Sequence, residues 1–216
     1  DNKKMLATGE GGVLVTDELA YFEGALLTSD FGGRLHYDLT LDETRRYVET
    51  GLGCKHRIHP LSAVIASVEL DKLDYYCSLR GERLEMLSGS LQGVPGVRPP
   101  VTRAHTTRGA FFGYRPFFVA DELHGIALDD FLAALRAEGM EVRQSGNRPL
   151  HQLPVFADRF PAVMEESLPN AENFYATTMS LPTFTFEPHE LIEQYAAAFQ
   201  KVCGFFSKND AQELFS

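Results

Sequence analysis

Lys3-Lys4-Met5-Leu6-Ala7-Thr8-Gly9-Glu10-Gly11-Gly12 opens the chain, and the apolar run Val13-Leu14-Val15-Thr16 follows it. Glycines let a backbone come close to a ligand because no Cβ stands in the way. A lysine that attacks a carbonyl must be neutral, and a neighbouring cation lowers its pKa by like-charge repulsion. Lys3 and Lys4 therefore form a candidate nucleophile and its charged neighbour. The same letters also describe a solvent-exposed lysine pair before a glycine turn, so the segment needs support from the rest of the chain. Residues 13–16 have the length and content of a buried strand.

Outward from this stretch, residues 19–27 read as a short helix and residues 30–44, with Gly32-Gly33, as a loop. His59-Pro60 places a proline where a first helical turn tolerates it. Leu61, Val64, Ile65 and Val68, then Leu84, Leu87 and Leu91, keep helical spacing up to Gly93 and Pro95. One long helix is expected over residues 60–91, with a kink near Gly81. Beyond it, residues 111–119 read as a strand. Leu128, Phe131, Leu132 and Leu135 mark an amphipathic helix capped by Gly139. Residues 140–143 and 178–181 read as strands. Pro188 opens a last helix with Leu191, Ile192, Tyr195, Phe199 and Val202 on its apolar face, ended by Gly204. This second half is α+β.

The chain has 216 residues, 44% hydrophobic and 23% charged, with a net charge of −10. Such a charge argues against a nucleic-acid partner, which calls for clustered Lys and Arg. It is compatible with a small anionic ligand in a local basic pocket. No run approaches 18 apolar residues, so no membrane span is expected. Residues 1–5 contain no apolar stretch of signal-peptide length. Cys54, Cys77 and Cys203 are widely spaced and form no CxxC, which points to buried free thiols in a reducing cytoplasm. His56 and His59 lack further partners for zinc, and no metal is expected.

Three further segments, taken in order with the first, carry a family resemblance. One is Leu52-Gly53-Cys54-Lys55-His56-Arg57-Ile58-His59-Pro60-Leu61, leading to Leu70-Asp71-Lys72-Leu73-Asp74. The next joins residues 111–119 and 128–139 to Pro149-Leu150-His151, and the last is Ser180-Leu181-Pro182 after Met179. Together with the lysine–glycine turn, this order resembles the DegT/DnrJ/EryC1/StrS family of aminotransferases, from Lys3 to about Val202.

The resemblance implies an α/β chain of the pyridoxal-phosphate-dependent fold type I, aspartate-aminotransferase-like. Residues 1–92 would be the end of the large cofactor-binding domain with its linking helix, and residues 93–216 a small α+β domain. The register to Glu10 puts Lys4, not Lys3, where the family carries pyridoxal 5'-phosphate as a Schiff base. Lys55 stands where an asparagine usually reaches the cofactor phosphate of the neighbouring subunit, and a lysine can do so as a point charge. A helix opening at Pro60 would also aim its dipole at an anion. His56, Arg57 and His151 fall where relatives contact substrate, although Gly146-Asn147 replaces a common His–aromatic pair.

The implied function is amino transfer from an amino acid, typically glutamate, to a keto group of a nucleotide-linked sugar or cyclitol, by a cytoplasmic homodimer. A dehydratase of the same family is an alternative, but such relatives often replace the lysine by histidine. A truncated, non-catalytic subunit is another. The acidic partner of the pyridine nitrogen and the stacking aromatic are expected upstream of Lys4, in a longer polypeptide or a partner chain.

Overall fold

In the computed structural model, which describes residues 4–49, 53–108, 112–146, 148–160 and 167–208, the chain divides into two units. They are Asp1–Leu73 and Asp74–Ser216.

In the first unit, helix α1 (Leu19–Ser29) buries Leu26 against Leu35 and Leu39. The expected loop over 30–44 holds two short helices, α2 (Arg34–Asp38) and α3 (Asp42–Arg45). The reason is local. The Asp30 carboxylate accepts the N–H groups of Phe31 at 2.8 Å and Gly32 at 2.9 Å, which closes the glycine turn. Leu35 and Leu39 then fall four residues apart, on one face and in the core. Glu23 on α1 pins the next turn. Its carboxylate accepts the N–H and hydroxyl of Thr40, both at 2.7 Å, the N–H of Leu41 at 3.2 Å and the hydroxyl of Thr44.

Residues 13–16 are not a buried strand. They form no regular element and pair with no described strand, and Val13, Leu14 and Val15 are 84%, 64% and 88% exposed. Apolar content alone does not bury a strand, which needs a sheet and a covering layer to enclose it. The expected long helix is two, α4 (Pro60–Leu70) and α5 (Leu73–Ser90). The break lies at Asp71-Lys72, where the N–H of Lys72 turns back to Glu69 O at 3.2 Å, and α5 runs on through Gly81.

The second unit holds the larger core. Leu84 and Leu87 of α5, with Leu91 just beyond its end, pack with Phe131, Leu132 and Leu135 of α6 (Leu128–Ala137) and with Ile192, Phe199 and Val202 of the last helix. Short strands β1 (Val97–Arg98) and β2 (Phe117–Phe118) pair antiparallel, as do β3 (Arg143–Gln144) and β4 (Met179–Ser180). Bridges Tyr114↔Leu181 and Phe117↔Thr178 join the two ladders, giving the spatial order β1-β2-β4-β3. Phe111, the expected start of β2, lies outside the described residues. The strand expected over 140–143 begins only at Arg143, because Met140 N–H is spent on Leu135 O in the cap of α6, with Gly139 at φ +89.

A 3₁₀ turn (Leu150–Gln152), α7 (Pro154–Ala157) and α8 (Pro169–Thr177) connect β3 to β4. The last helix, α9 (His189–Phe206), passes Gly204 by two residues, held by Phe206 in the core. Of the cysteines only Cys203 is buried, its thiol pushed up to about 12 by burial, while Cys54 is exposed on the 53–57 stretch. Among the described residues no helix is long and apolar enough to cross a membrane.

Candidate active site

The glycine turn and the basic stretch 53–59 meet in the first unit. A Cβ on Gly9, which has φ +89, would lie 3.8 Å from the Ser62 hydroxyl. One on Gly11 would lie 3.3 Å from the Ile58 side chain. The turn that follows Lys4 is therefore seated on the start of α4. Gly53 explains how the basic stretch is placed. Its added Cβ would fall 2.0 Å from Asp30 O and 2.7 Å from Leu27 O, so only glycine permits this approach. The stretch then runs beside the end of α1, with Cys54 N–H on Thr28 O at 2.8 Å and His56 N–H on Ser29 O at 2.9 Å.

Lys4, Lys55, His56 and Arg57 are all exposed. Lys55 makes no side-chain hydrogen bond or ion pair among the described residues. His56 lines an open hollow of about 940 Å³ whose other walls include Gly12, Leu14, Tyr21 and Thr28. Arg57 lies close enough to Asp30 to act on its charge. Asp30's carboxyl is held below its ordinary value first by the Gly32 N–H, with Arg57 and Arg34 adding to the effect. Helix α4 starts at Pro60 as the sequence predicts, but the ring of His59 serves as its cap. Nδ1 accepts the Leu61 N–H at 3.2 Å.

His151 lies in the second unit and is 6% exposed. Its Nε2 is 2.9 Å from Glu172 Oε1, and its buried Nδ1 has no partner among the described residues. The same Glu172 oxygen accepts the Leu168 N–H at 3.0 Å. That backbone bond, then the one to His151, holds the Glu172 carboxyl below its ordinary value. In the neutral ring the proton sits on Nε2, facing the carboxylate, and Nδ1 is left as an acceptor. Glu172 was not singled out from the sequence, because α8 carries no strong apolar periodicity. Asn147, beside this region, lies outside the described residues. No group of three metal-ligating side chains occurs among the described residues.

The chain matches the sequence profile of the DegT/DnrJ/EryC1/StrS aminotransferase family over residues 1–199. It belongs to that family. It is 29% identical over 181 residues to dTDP-3-amino-3,4,6-trideoxy-alpha-D-glucose transaminase of Streptomyces venezuelae, covering 83% of this chain and 42% of that one. It is 28% identical over 172 residues to a putative L-glutamine:3-amino-2,3-dideoxy-scyllo-inosose aminotransferase of Micromonospora echinospora, covering 76% and 39%. The crystal structure of AtS13 from Actinomadura melliaura superposes with a TM-score of 0.69 at 22% identity, over 92% of this chain and 48% of that one. The fold is thus fold type I, aspartate-aminotransferase-like, and the chain spans about two fifths of the length of the curated relatives it matches.

Proposed function

We propose that this chain is the lysine-bearing C-terminal portion of a pyridoxal-phosphate-dependent aminotransferase. The whole protein would transfer an amino group from an amino acid, typically glutamate, to a keto group on a nucleotide-linked sugar or a cyclitol. The observation that carries this reading is the seating of the Lys4 glycine turn against Ile58 and Ser62, beside the basic stretch and the open hollow. A cofactor of this kind needs an amine, a cation for its phosphate and room for its ring, and the first unit offers each.

When bound, pyridoxal 5'-phosphate supplies an electron sink for the α-carbon chemistry of amino transfer. The Lys4 Nζ would hold the cofactor covalently and, once released, move a proton as a general base. Lys55 would hold the phosphate, in the family's manner that of a neighbouring subunit in a homodimer. Arg57, fixed near Asp30, and His56 on the hollow's wall would contact substrate. His151 would offer Nδ1 as an acceptor, its ring oriented by Glu172. Residues 1–92 would close the large domain with its linking helix, and residues 93–216 would form the small one. A cytoplasmic setting belongs to the same reading.

A lysine at position 4, where dehydratases of the family often carry histidine, favours amination over dehydration. The test is covalent capture. Borohydride reduction of protein incubated with pyridoxal phosphate, followed by peptide mapping, should place the label on Lys4 and lose it in Lys4→Ala. A label on Lys3, or none on the full-length protein, would refute the assignment.

A further inference from the structure

A hollow of about 360 Å³ lies wholly within the second unit and shares no residue with the site proposed above. That volume falls within the range of small-molecule sites, roughly 300–1,000 Å³. One wall is α5, where Glu85, Ser88 and Gly89 share a face, with Gln92 just beyond the helix end. The other wall is the stretch after β1, with Pro99, Pro100, Val101 and Thr102, and Arg108 farther along. The hollow therefore joins an acid, a base and an apolar strip.

Each of these parts is either fixed or left open by the local structure. The Arg108 Nε donates to Thr102 Oγ1 and its Nη2 to Pro100 O, both at 2.8 Å. These bonds hold the guanidinium on the wall it lines. Thr102 accepts in that pair, so its own O–H remains a donor. The Ser88 hydroxyl donates to Leu84 O at 2.7 Å and accepts from the Tyr114 hydroxyl at 2.9 Å, which spends it inside the fold. Glu85 is exposed, and neither it nor Gln92 makes a side-chain hydrogen bond or ion pair among the described residues. Gly89 keeps the floor low. A Cβ there would meet nothing within 4 Å, although glycine inside a helix costs stability relative to alanine. Packing does not call for this glycine, and a longer side chain at position 89 would stand in the hollow.

We propose that this hollow binds a free α-amino acid with an apolar side chain. A carboxylate in one wall disfavours phosphates and dicarboxylates, and a cation in the other suits a ligand that carries both charges. The ligand's carboxylate would meet Arg108 and the Thr102 hydroxyl, and its ammonium Glu85. The Gln92 amide can donate to the one charge or accept from the other. The side chain would lie on Pro99, Pro100 and Val101, the last of which is 84% exposed. Glutamate, the amino donor in the reading above, brings a second carboxylate that Glu85 repels, so this is not a seat for the donor. The inference does not depend on the aminotransferase reading.

The experiment titrates L-leucine into the full-length protein loaded with pyridoxal phosphate, and follows the heat of binding. Isocaproate and isoamylamine, which each lack one of leucine's charges, serve as comparison ligands. L-Leucine should bind saturably, and both comparison ligands about tenfold more weakly or worse. Glu85→Gln, a change to an exposed side chain, should weaken L-leucine by about tenfold and leave isocaproate as in the wild type. Gly89→Leu should abolish L-leucine binding by filling the hollow, with an unchanged or raised melting temperature. Any of four results would overturn the proposal: no saturable binding of L-leucine, equal affinity for L-leucine and isocaproate, undiminished L-leucine affinity in Glu85→Gln, or binding that persists in Gly89→Leu.

Discussion

The Nε2 of His151 and the Oε1 of Glu172 lie 2.9 Å apart, and no other described group reaches the buried ring's Nδ1. The pair fixes the tautomer and the ring plane together. Glu172→Ala removes the acceptor and leaves both ring nitrogens unpaired inside the second unit, which is unfavourable for a buried polar group. A lower melting temperature is expected for the variant, together with a raised KM for the keto substrate and a smaller change in kcat. Glu172→Gln, whose amide oxygen can still accept, should restore most of both. Equal damage by the two substitutions would show that charge, not orientation, is what Glu172 supplies.

Glu23 makes the first unit acid-sensitive. Burial raises its pKa, but hydrogen bonds from Thr44, Thr40 and Leu41 outweigh it and bring the carboxyl down to about 2. In the unfolded chain a glutamate titrates near its ordinary value, roughly 4.3. A depressed folded pKa therefore contributes stability that is full above that value and is lost as pH falls toward 2. Denaturant unfolding of wild type and Glu23→Gln should differ most above pH 5, and the difference should shrink steadily on acidification. A gap that stays constant from pH 7 to pH 3 would mean the charge contributes nothing.

What the sequence disclosed followed from local rules. The α6 stripe Phe131, Leu132 and Leu135, the Gly139 cap and the helix start at Pro60 are decided within a turn or two of chain. The 178–181 strand was legible for the same reason. The failures were non-local. Residues 13–16 have strand composition, but their burial depends on neighbours in a sheet. The break at Asp71-Lys72 was hidden because the apolar spacing is continuous across it. Lys4, Lys55, His56, Arg57 and His151 were named as candidates from the sequence. Glu23 and Glu172 were not, since partners 17 to 21 residues away leave no periodic trace, and neither was Asp30, whose burial no local pattern announces.

Gly53 offers a sharp test of how the basic stretch is positioned. A methyl group there would sit 2.0 Å from one backbone oxygen and 2.7 Å from another, neither of which can rotate away. Gly53→Ala must push residues 53–57 off the end of α1 and break the Cys54–Thr28 and His56–Ser29 bonds. A loss of about 1–3 kcal/mol is expected for the overpacking alone. Pyridoxal phosphate affinity should fall with it, since Lys55 and His56 move together. Cys54→Ala, on the exposed neighbour, should be silent in both measurements. Wild-type cofactor affinity in Gly53→Ala would uncouple this stretch from the cofactor.

Helix α4 carries the last expectation. Leu61, Val64, Ile65 and Val68 recur at helical spacing, yet they are 69%, 62%, 48% and 49% exposed. An apolar stripe of this kind left open to water drives association. This stretch of chain, expressed alone, should bind a hydrophobic dye and self-associate on sedimentation. Val64→Glu/Val68→Glu should suppress both effects. Since neither side chain is in a core, each change should alter stability by no more than about 0.5 kcal/mol. A large drop in the melting temperature would place the stripe inside the unit's own core. Unchanged self-association would shift the cause to the exposed run Val13, Leu14 and Val15, which Leu14→Glu would then address.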